Sequence, residues 1–122
     1  MALFLFLSPA FSFYNEAMIR NFFGHLFTVM THRKWVRHYC FRLGLFRQGL
    51  THDLSKYSLT EFVPGVRYFQ GDRSPTEKER ELFGYSRAWL HHKGRNRHHF
   101  EYWNDLNAQH IYAPVRMPGR FV

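Results

Sequence analysis

Apolar residues recur every three or four positions between Asn15 and Leu43, which is the period of an amphipathic helix. This pattern predicts one long helix, or two helices that are broken near Gly24 or Thr31. Gly44 follows the last periodic residue and is a typical position for a helix to stop.

A second helix is predicted from about Leu45 into the segment "LTHDLSKY", with His52 and Asp53 near its C-terminal end. The next four residues, "SLTE" at 58–61, have the spacing of a capping box, in which the serine and the glutamate each satisfy a backbone N–H group. We therefore expect a short helix to begin there and to run to about Phe69.

The segment "SPTE" at 74–77 is a second capping box, with proline at the first helical position. It predicts a helix that runs through Trp89 toward His92. The residues "KGRN" then interrupt the pattern, and "RHHFEYWNDL" predicts one or two further helical turns. Because no alternating strand pattern extends beyond a few residues, the fold class is predicted to be all-α.

The chain length of 122 residues fits one domain, which we place at residues 15–122 after an apolar segment at residues 1–14. That segment is too short to span a bilayer, which takes about 20 residues, and it lacks the basic start of a secretory signal, so a cleaved signal is the less favoured alternative. We expect no membrane span. The segment would pack on the domain or on a partner chain, as in a homo-oligomer, or it is an upstream extension from a misassigned start codon.

The composition, with 45% hydrophobic and 20% aromatic residues, excludes a disordered chain. Lys and Arg number 17 against 9 Asp and Glu, a formal charge of +8, which favours an anionic partner. That partner is a phosphate-containing small molecule or nucleic acid, although a solvated basic surface gives the same charge. The single cysteine, Cys40, excludes an internal disulfide and fits a reducing compartment, so we expect a cytoplasmic protein.

Histidines are frequent, and their order along the chain is informative. His32 lies on the long predicted helix, His52-Asp53 follows about 20 residues later, and Lys56 comes three residues after the aspartate. Two doubled histidines follow, His91-His92 and His98-His99. A lone His-Asp pair more often serves a helix end, but imidazole and carboxylate groups in such a set suit a divalent metal ion.

A bound metal ion would lower the pKa of a coordinated water and polarise a phosphoryl oxygen. Arg95 and Arg97 lie between the doubled histidines and are the best candidates to bind phosphate, although a solvated loop explains them equally well.

Two sets of residues carry a resemblance to known families. "HDLSK" is similar to the His-Asp-x-x-Lys step of the HD-GYP branch of the HD superfamily of metal-dependent phosphohydrolases. The longer segments "CFRLGLFRQGLTHDLSKYSLTEF", "YFQGDRSP" and "GYSRAWLHHKGRNRHHFEYW" resemble an uncharacterised bacterial family of unknown function, over roughly Phe23 to Val122.

The HD resemblance implies a helical bundle of about five to six helices that holds one or two ions of Mn, Fe, Zn, Ni or Mg. It implies that Asp53 and Lys56 are catalytic, with Asp53 as a ligand or a bridge between two ions and Lys56 as a contact to phosphate. The implied metal ligands are His32, His52, Asp53, His91, His92, His98 and His99. The resemblance does not tell which member of each doubled pair faces the metal.

The chain departs from the HD pattern near its C-terminus. The pattern has a further aspartate on a later helix, and the similar bacterial family continues past "MPGRFV" into a helix with a Cys-Asp step, whereas this sequence stops at Val122. Asp105, six residues after His99, is a candidate substitute for that aspartate. Otherwise we expect a truncated chain, a last ligand from another chain, or an incomplete metal site.

Three functions fit these observations. The first is a metal-dependent phosphohydrolase that acts on a nucleotide or another phosphate ester. The second is a basic helical protein that binds nucleic acid through its charge and its aromatic residues. The third is a non-catalytic helical module in which a closed metal site joins the helices.

Overall fold

The computed structural model of the chain describes residues 9–104, with side chains from residue 15 onwards. No strand occurs within this described part, and the predicted all-α class is confirmed. The helices are α1 (Pro9–Arg42), α2 (Phe46–Thr51), α3 (Leu59–Arg67), α4 (Pro75–Phe83) and α5 (Arg87–Lys93). Single 3-10 turns cover Leu54–Tyr57 and Phe100–Trp103.

Helix α1 is one continuous helix of 34 residues, so the alternative of a break near Gly24 or Thr31 is wrong. Gly24 serves packing instead, because a Cβ atom there would overlap the ring of Phe69, which follows α3. The predicted stop at Gly44 is confirmed, since this glycine adopts the left-handed conformation (φ 73°). Helices α2 and α3 both pack against α1, and α4 and α5 pack against α3.

The predicted helix from "SPTE" toward His92 is wrong as a single helix. It ends at Phe83, where Gly84 has φ 78°, and Ser86 then caps α5 by accepting a hydrogen bond from the N–H of Trp89. The buried carboxylate of Glu79 accepts from the Ser86 hydroxyl and holds α4 against the start of α5. The sequence signal for this break is Gly84, because glycine is the usual residue at a left-handed helix end.

The capping box predicted at "SLTE" is also wrong. Helix α3 begins at the predicted place, but the Ser58 side chain makes no cap hydrogen bond. Glu61 is buried and contacts histidines of α5 instead of the helix start. The cap at "SPTE" forms, with Ser74 accepting from the N–H of Thr76 at 3.4 Å.

The buried centre of the described part is more polar than apolar. The buried apolar residues are Val29, Val66 and Ala88. The buried polar residues are Asp53, Glu61, Glu79, Ser86, His92 and Asn96. Burying polar groups costs free energy unless they are hydrogen-bonded, paired or bound to an ion. A buried centre of this composition therefore indicates a functional site. Among the described helices, none is both long and apolar enough to cross a bilayer.

Candidate metal centre

The His52-Asp53 step forms a sharp turn just after α2 ends. Asp53 has φ 54° and is the one described non-glycine residue with a positive φ, a conformation that costs free energy and is frequent at functional sites. Arg33 of α1 stabilises the turn, because its Nε donates to the carbonyl of His52 and its Nη2 to that of Leu50, each at 2.9 Å. Helix α1 therefore fixes the end of α2.

One oxygen of the Asp53 carboxylate, Oδ2, faces His32 of α1 and two residues close to Asp53 in the sequence, His52 and Lys56. His32 Nε2 lies at 3.1 Å and His52 Nε2 at 3.3 Å from this oxygen. The ring nitrogens of these two histidines are 3.1 Å apart. Lys56 Nζ lies 2.6 Å from the same oxygen, so the lysine neutralises the carboxylate.

The second oxygen, Oδ1, faces the histidines after α4. His98 Nε2 lies 3.2 Å and His92 Nε2 3.4 Å from this oxygen. His92 Nε2 is also 2.9 Å from His99 Nε2. Oδ1 is buried and accepts no well-directed hydrogen bond, although these imidazoles surround it. The aspartate thus lies between two sets of imidazole nitrogens, one at each oxygen.

These contacts define two groups of ligand atoms, and the atoms within each group lie within 4.8 Å of one another. The first group is His32, His52 and Asp53, and the second is Asp53, His92, His98 and His99. Together they contain every predicted metal ligand except His91. Asp53 belongs to both groups.

The two doubled histidines differ because their backbones differ. His91 and His92 lie on α5, where adjacent side chains point about 100° apart, and only His92 turns toward Asp53. His98 and His99 precede the last 3-10 turn outside any helix, and both face the centre.

Glu61 is a residue of the site that sequence reasoning missed. It is 6% exposed, and its Oε2 contacts His92 Nδ1 at 2.8 Å while its Oε1 contacts His91 Nδ1 at 2.6 Å. Burial raises the pKa of Glu61, but hydrogen bonds from His92 and His91 outweigh this effect and lower it. Arg33 was missed too, and it has no sequence signal that separates it from an ordinary helix residue. The signal at Glu61 was the capping-box spacing, which indicates a different role for its side chain.

Asp53 and His99 are in the protonation states that bind a metal ion. Burial alone would raise the pKa of Asp53, but the nearby imidazoles of His32, His52 and His98 and the charge of Lys56 lower it, so the group is a carboxylate. Burial, together with the charges of the neighbouring histidines, lowers the pKa of His99 to about 4. His99 is therefore neutral near pH 7, the form that binds metal.

Two cavities adjoin the centre, and different histidines of the two ligand groups line them. One, of about 460 Å³, is lined by Lys56, His32, His92 and His99 together with apolar side chains such as Phe69. An anion in this cavity would lie near Lys56 and these histidines.

The other cavity, of about 570 Å³, is lined by His52 and His98 and by both predicted phosphate ligands, Arg95 and Arg97. Arg95 Nη1 donates to the carbonyl of His91 at 3.4 Å, and Arg97 lies over the ring of Tyr102. The two arginines therefore lie beside His52 and His98, at the cavity that these histidines line.

The donor set fits a divalent transition metal. Imidazole nitrogens with one carboxylate are typical ligands of Zn, Mn, Fe and Ni, whereas Mg prefers oxygen ligands. The buried Oδ1 of Asp53, without a hydrogen bond, is the position at which such an ion would satisfy the carboxylate. Asp105, the substitute suggested for the last aspartate, lies outside the described residues.

Comparison with known proteins places the chain in one family. A family model described as a family of unknown function (DUF5662) matches residues 21–122. This match agrees with the resemblance to an uncharacterised family over nearly the same range. No curated protein and no solved structure matches the chain.

Proposed function

The chain belongs to DUF5662, a family of unknown function, and from its buried centre we propose that it is a metal-dependent phosphohydrolase. One observation carries the proposal: the two oxygens of Asp53 face two different sets of imidazole nitrogens. A carboxylate in this position suits a bridge between two divalent ions, which lie about 3.5–4 Å apart in hydrolytic two-metal sites.

The two ligand groups differ in a way that supports catalysis. The group with His98 and His99 offers four protein ligands, which is typical of a closed site, whereas the group of His32, His52 and Asp53 offers three. Three protein ligands leave a position open on a four-coordinate ion. A divalent ion there would supply Lewis acidity and a coordinated water of lowered pKa.

The cationic side chains around the centre would bind the substrate. The ammonium of Lys56 contacts Asp53, but the side chain is still 30% exposed and lines the 460 Å³ cavity. A phosphate oxygen in this cavity would bind to the ammonium. Arg95 and Arg97 would bind phosphate oxygens from the neighbouring cavity. The substrate class is a nucleotide or another phosphate ester.

The resemblance to the HD superfamily supports the same proposal. In this chain the histidine on the first helix, the His-Asp step after the second and the later histidines meet around Asp53, and these are the residues that the HD resemblance implies as metal ligands. Lys56 follows Asp53 by three residues and contacts it, as expected for the "HDLSK" step.

The test is hydrolysis of nitrophenyl phosphate esters and nucleotides by the full chain, with added Mn, Zn or Ni and after chelation. We expect activity that needs metal, and its loss in Asp53→Ala. Glu16→Ala, which changes an exposed carboxylate of α1, is the matched control and should keep full activity. Full metal content together with full activity in Asp53→Ala would refute the proposal.

A second candidate function is nucleic-acid binding, favoured by exposed cations on the C-terminal half of α1. Lys34, Arg37 and Arg42 line a shallow groove there together with His38, and none of the histidines around Asp53 lines it. Binding through these side chains would weaken steeply with added salt and need no metal. An affinity that depends on salt in a protein without bound metal would favour this candidate over hydrolysis.

A further inference from the structure

Glu61 holds the ring of His92 from the side away from Asp53. Its carboxylate uses one oxygen for His92 Nδ1 at 2.8 Å and the other for His91 Nδ1 at 2.6 Å. Because both oxygens are engaged, the carboxylate plane is fixed. His92 in turn directs its Nε2 toward Asp53 and His99.

The protons of this arrangement can be assigned. An ionised carboxylate only accepts hydrogen bonds, so the Nδ1 of a neutral His92 must carry the proton. Its Nε2 is then unprotonated, with a lone pair aimed at the centre. Metal-bound histidines commonly donate their second ring N–H to a carboxylate in this way, which fixes the ring and raises its basicity.

The other neighbours of His92 Nδ1 would favour the opposite tautomer. Asn96 Nδ2 lies 3.2 Å from Nδ1 and donates to the backbone carbonyl of His92 at 2.7 Å and to the Ser55 hydroxyl at 2.8 Å, so this nitrogen offers no acceptor to Nδ1. The Ser55 Oγ lies 3.3 Å from Nδ1, and its hydrogen is free to point there if Glu61 is absent. Nδ1 would then be the acceptor, and the proton would lie on Nε2.

We propose that Glu61 is a positioning residue that holds His92 in the Nδ1–H tautomer, so that the bare Nε2 can bind metal. The inference rests on the proposed metal site, but the tautomer is a property of the metal-free chain. It can therefore be tested separately from metal binding and from hydrolysis.

The experiment is NMR of the metal-free full chain with ¹⁵N-labelled histidine, at about pH 8, where ordinary imidazoles are neutral. In the wild type we expect the His92 Nδ1 signal of a protonated nitrogen and the Nε2 signal of an unprotonated one. In Glu61→Leu we expect the two signals to exchange character. Zinc titration should then show an affinity about 10–100-fold weaker than in the wild type.

Glu79→Leu is the matched control, because Glu79 is an equally buried carboxylate whose partners are Ser86 and the start of α5 rather than a histidine. It should leave the His92 tautomer unchanged. The inference is overturned if wild-type His92 carries its proton on Nε2, a result that needs no variant, or if Glu61→Leu keeps Nδ1–H. If the expected tautomers are seen but no protein binds metal, the proposed function fails and the tautomer assignment stands.

Discussion

Lys56 Nζ lies 2.6 Å from Asp53 Oδ2, so a buried carboxylate and a half-buried ammonium form an ion pair at the centre of the site. Without metal, the Lys56 ammonium neutralises the charge of Asp53. With two ions bound, the charge of Asp53 would be neutralised largely by metal. Lys56 should therefore matter more for the stability of the metal-free protein than for that of the loaded one.

Lys56→Met is expected to lower the free energy of unfolding of the metal-free protein by about 1.5–3 kcal/mol, the range for hydrogen bonds to charged groups. The loss should shrink when zinc is bound. Urea unfolding with and without zinc measures both values. Equal losses in the two states would contradict the idea that metal and Lys56 serve the same carboxylate.

A substitution of Arg33 tests whether the turn at Asp53 depends on the contact with α1. Arg33→Lys removes the fork that reaches the carbonyls of Leu50 and His52, and lysine cannot replace both hydrogen bonds. We expect a loss of about 1–3 kcal/mol in the free energy of unfolding and weaker zinc binding. Arg37→Lys, at an exposed position of the same helix, is the control and should change stability by less than about 0.5 kcal/mol.

Gly65 allows α3 to approach α1. A Cβ atom at this position would overlap the ring of His25, so Gly65→Ala should destabilise the protein by about 1–3 kcal/mol. His25→Ala removes the obstructing ring, and the double variant should regain part of the loss. Thermal unfolding of all four proteins gives the coupling energy, and strictly additive losses would show that the two residues do not compete for this space.

His25 should also make stability depend on pH. Burial, and then the charge of Lys56, lowers its pKa below the ordinary value of 6.5. The unfolded chain therefore takes up this proton first as the pH falls, so stability is lost below about pH 6.5 and is retained above it. Urea unfolding of metal-free protein between about pH 7.5 and 5.5 should show a smaller loss in His25→Gln than in the wild type. An unchanged loss would exclude His25 as a source.

The parts of the fold that the sequence predicted are those fixed by local chemistry. The long apolar period of α1, the stop at Gly44 and the cap at Ser74 all depend on neighbours in the chain. The break at Gly84 was missed because the apolar pattern continues through it. The glutamate half of the capping box at Ser58 does not form because the side chain of Glu61 makes tertiary contacts with histidines 30 and 31 residues later.

In the candidate site, too, local features were predicted from the sequence and tertiary contacts were not. Spacing and resemblance selected the histidines, but only the folded chain shows that His92 rather than His91 faces Asp53. No pattern indicated that the two oxygens of Asp53 would face different sets of histidines, since this depends on the left-handed turn at that residue. The supporting contacts of Arg33 and Glu61 are long-range, and such contacts leave no periodic trace in a sequence.

The most direct test of the account is metal content, measured by mass spectrometry on protein purified without an affinity tag. We expect one to two equivalents of a transition metal in the wild type, and a large loss in Asp53→Asn, because the amide keeps the shape of the side chain but loses the charge that both groups share. Glu16→Gln should match the wild type. A folded wild type without metal after incubation with Zn, Mn, Fe and Ni, or an Asp53→Asn variant with full metal content, would contradict the account.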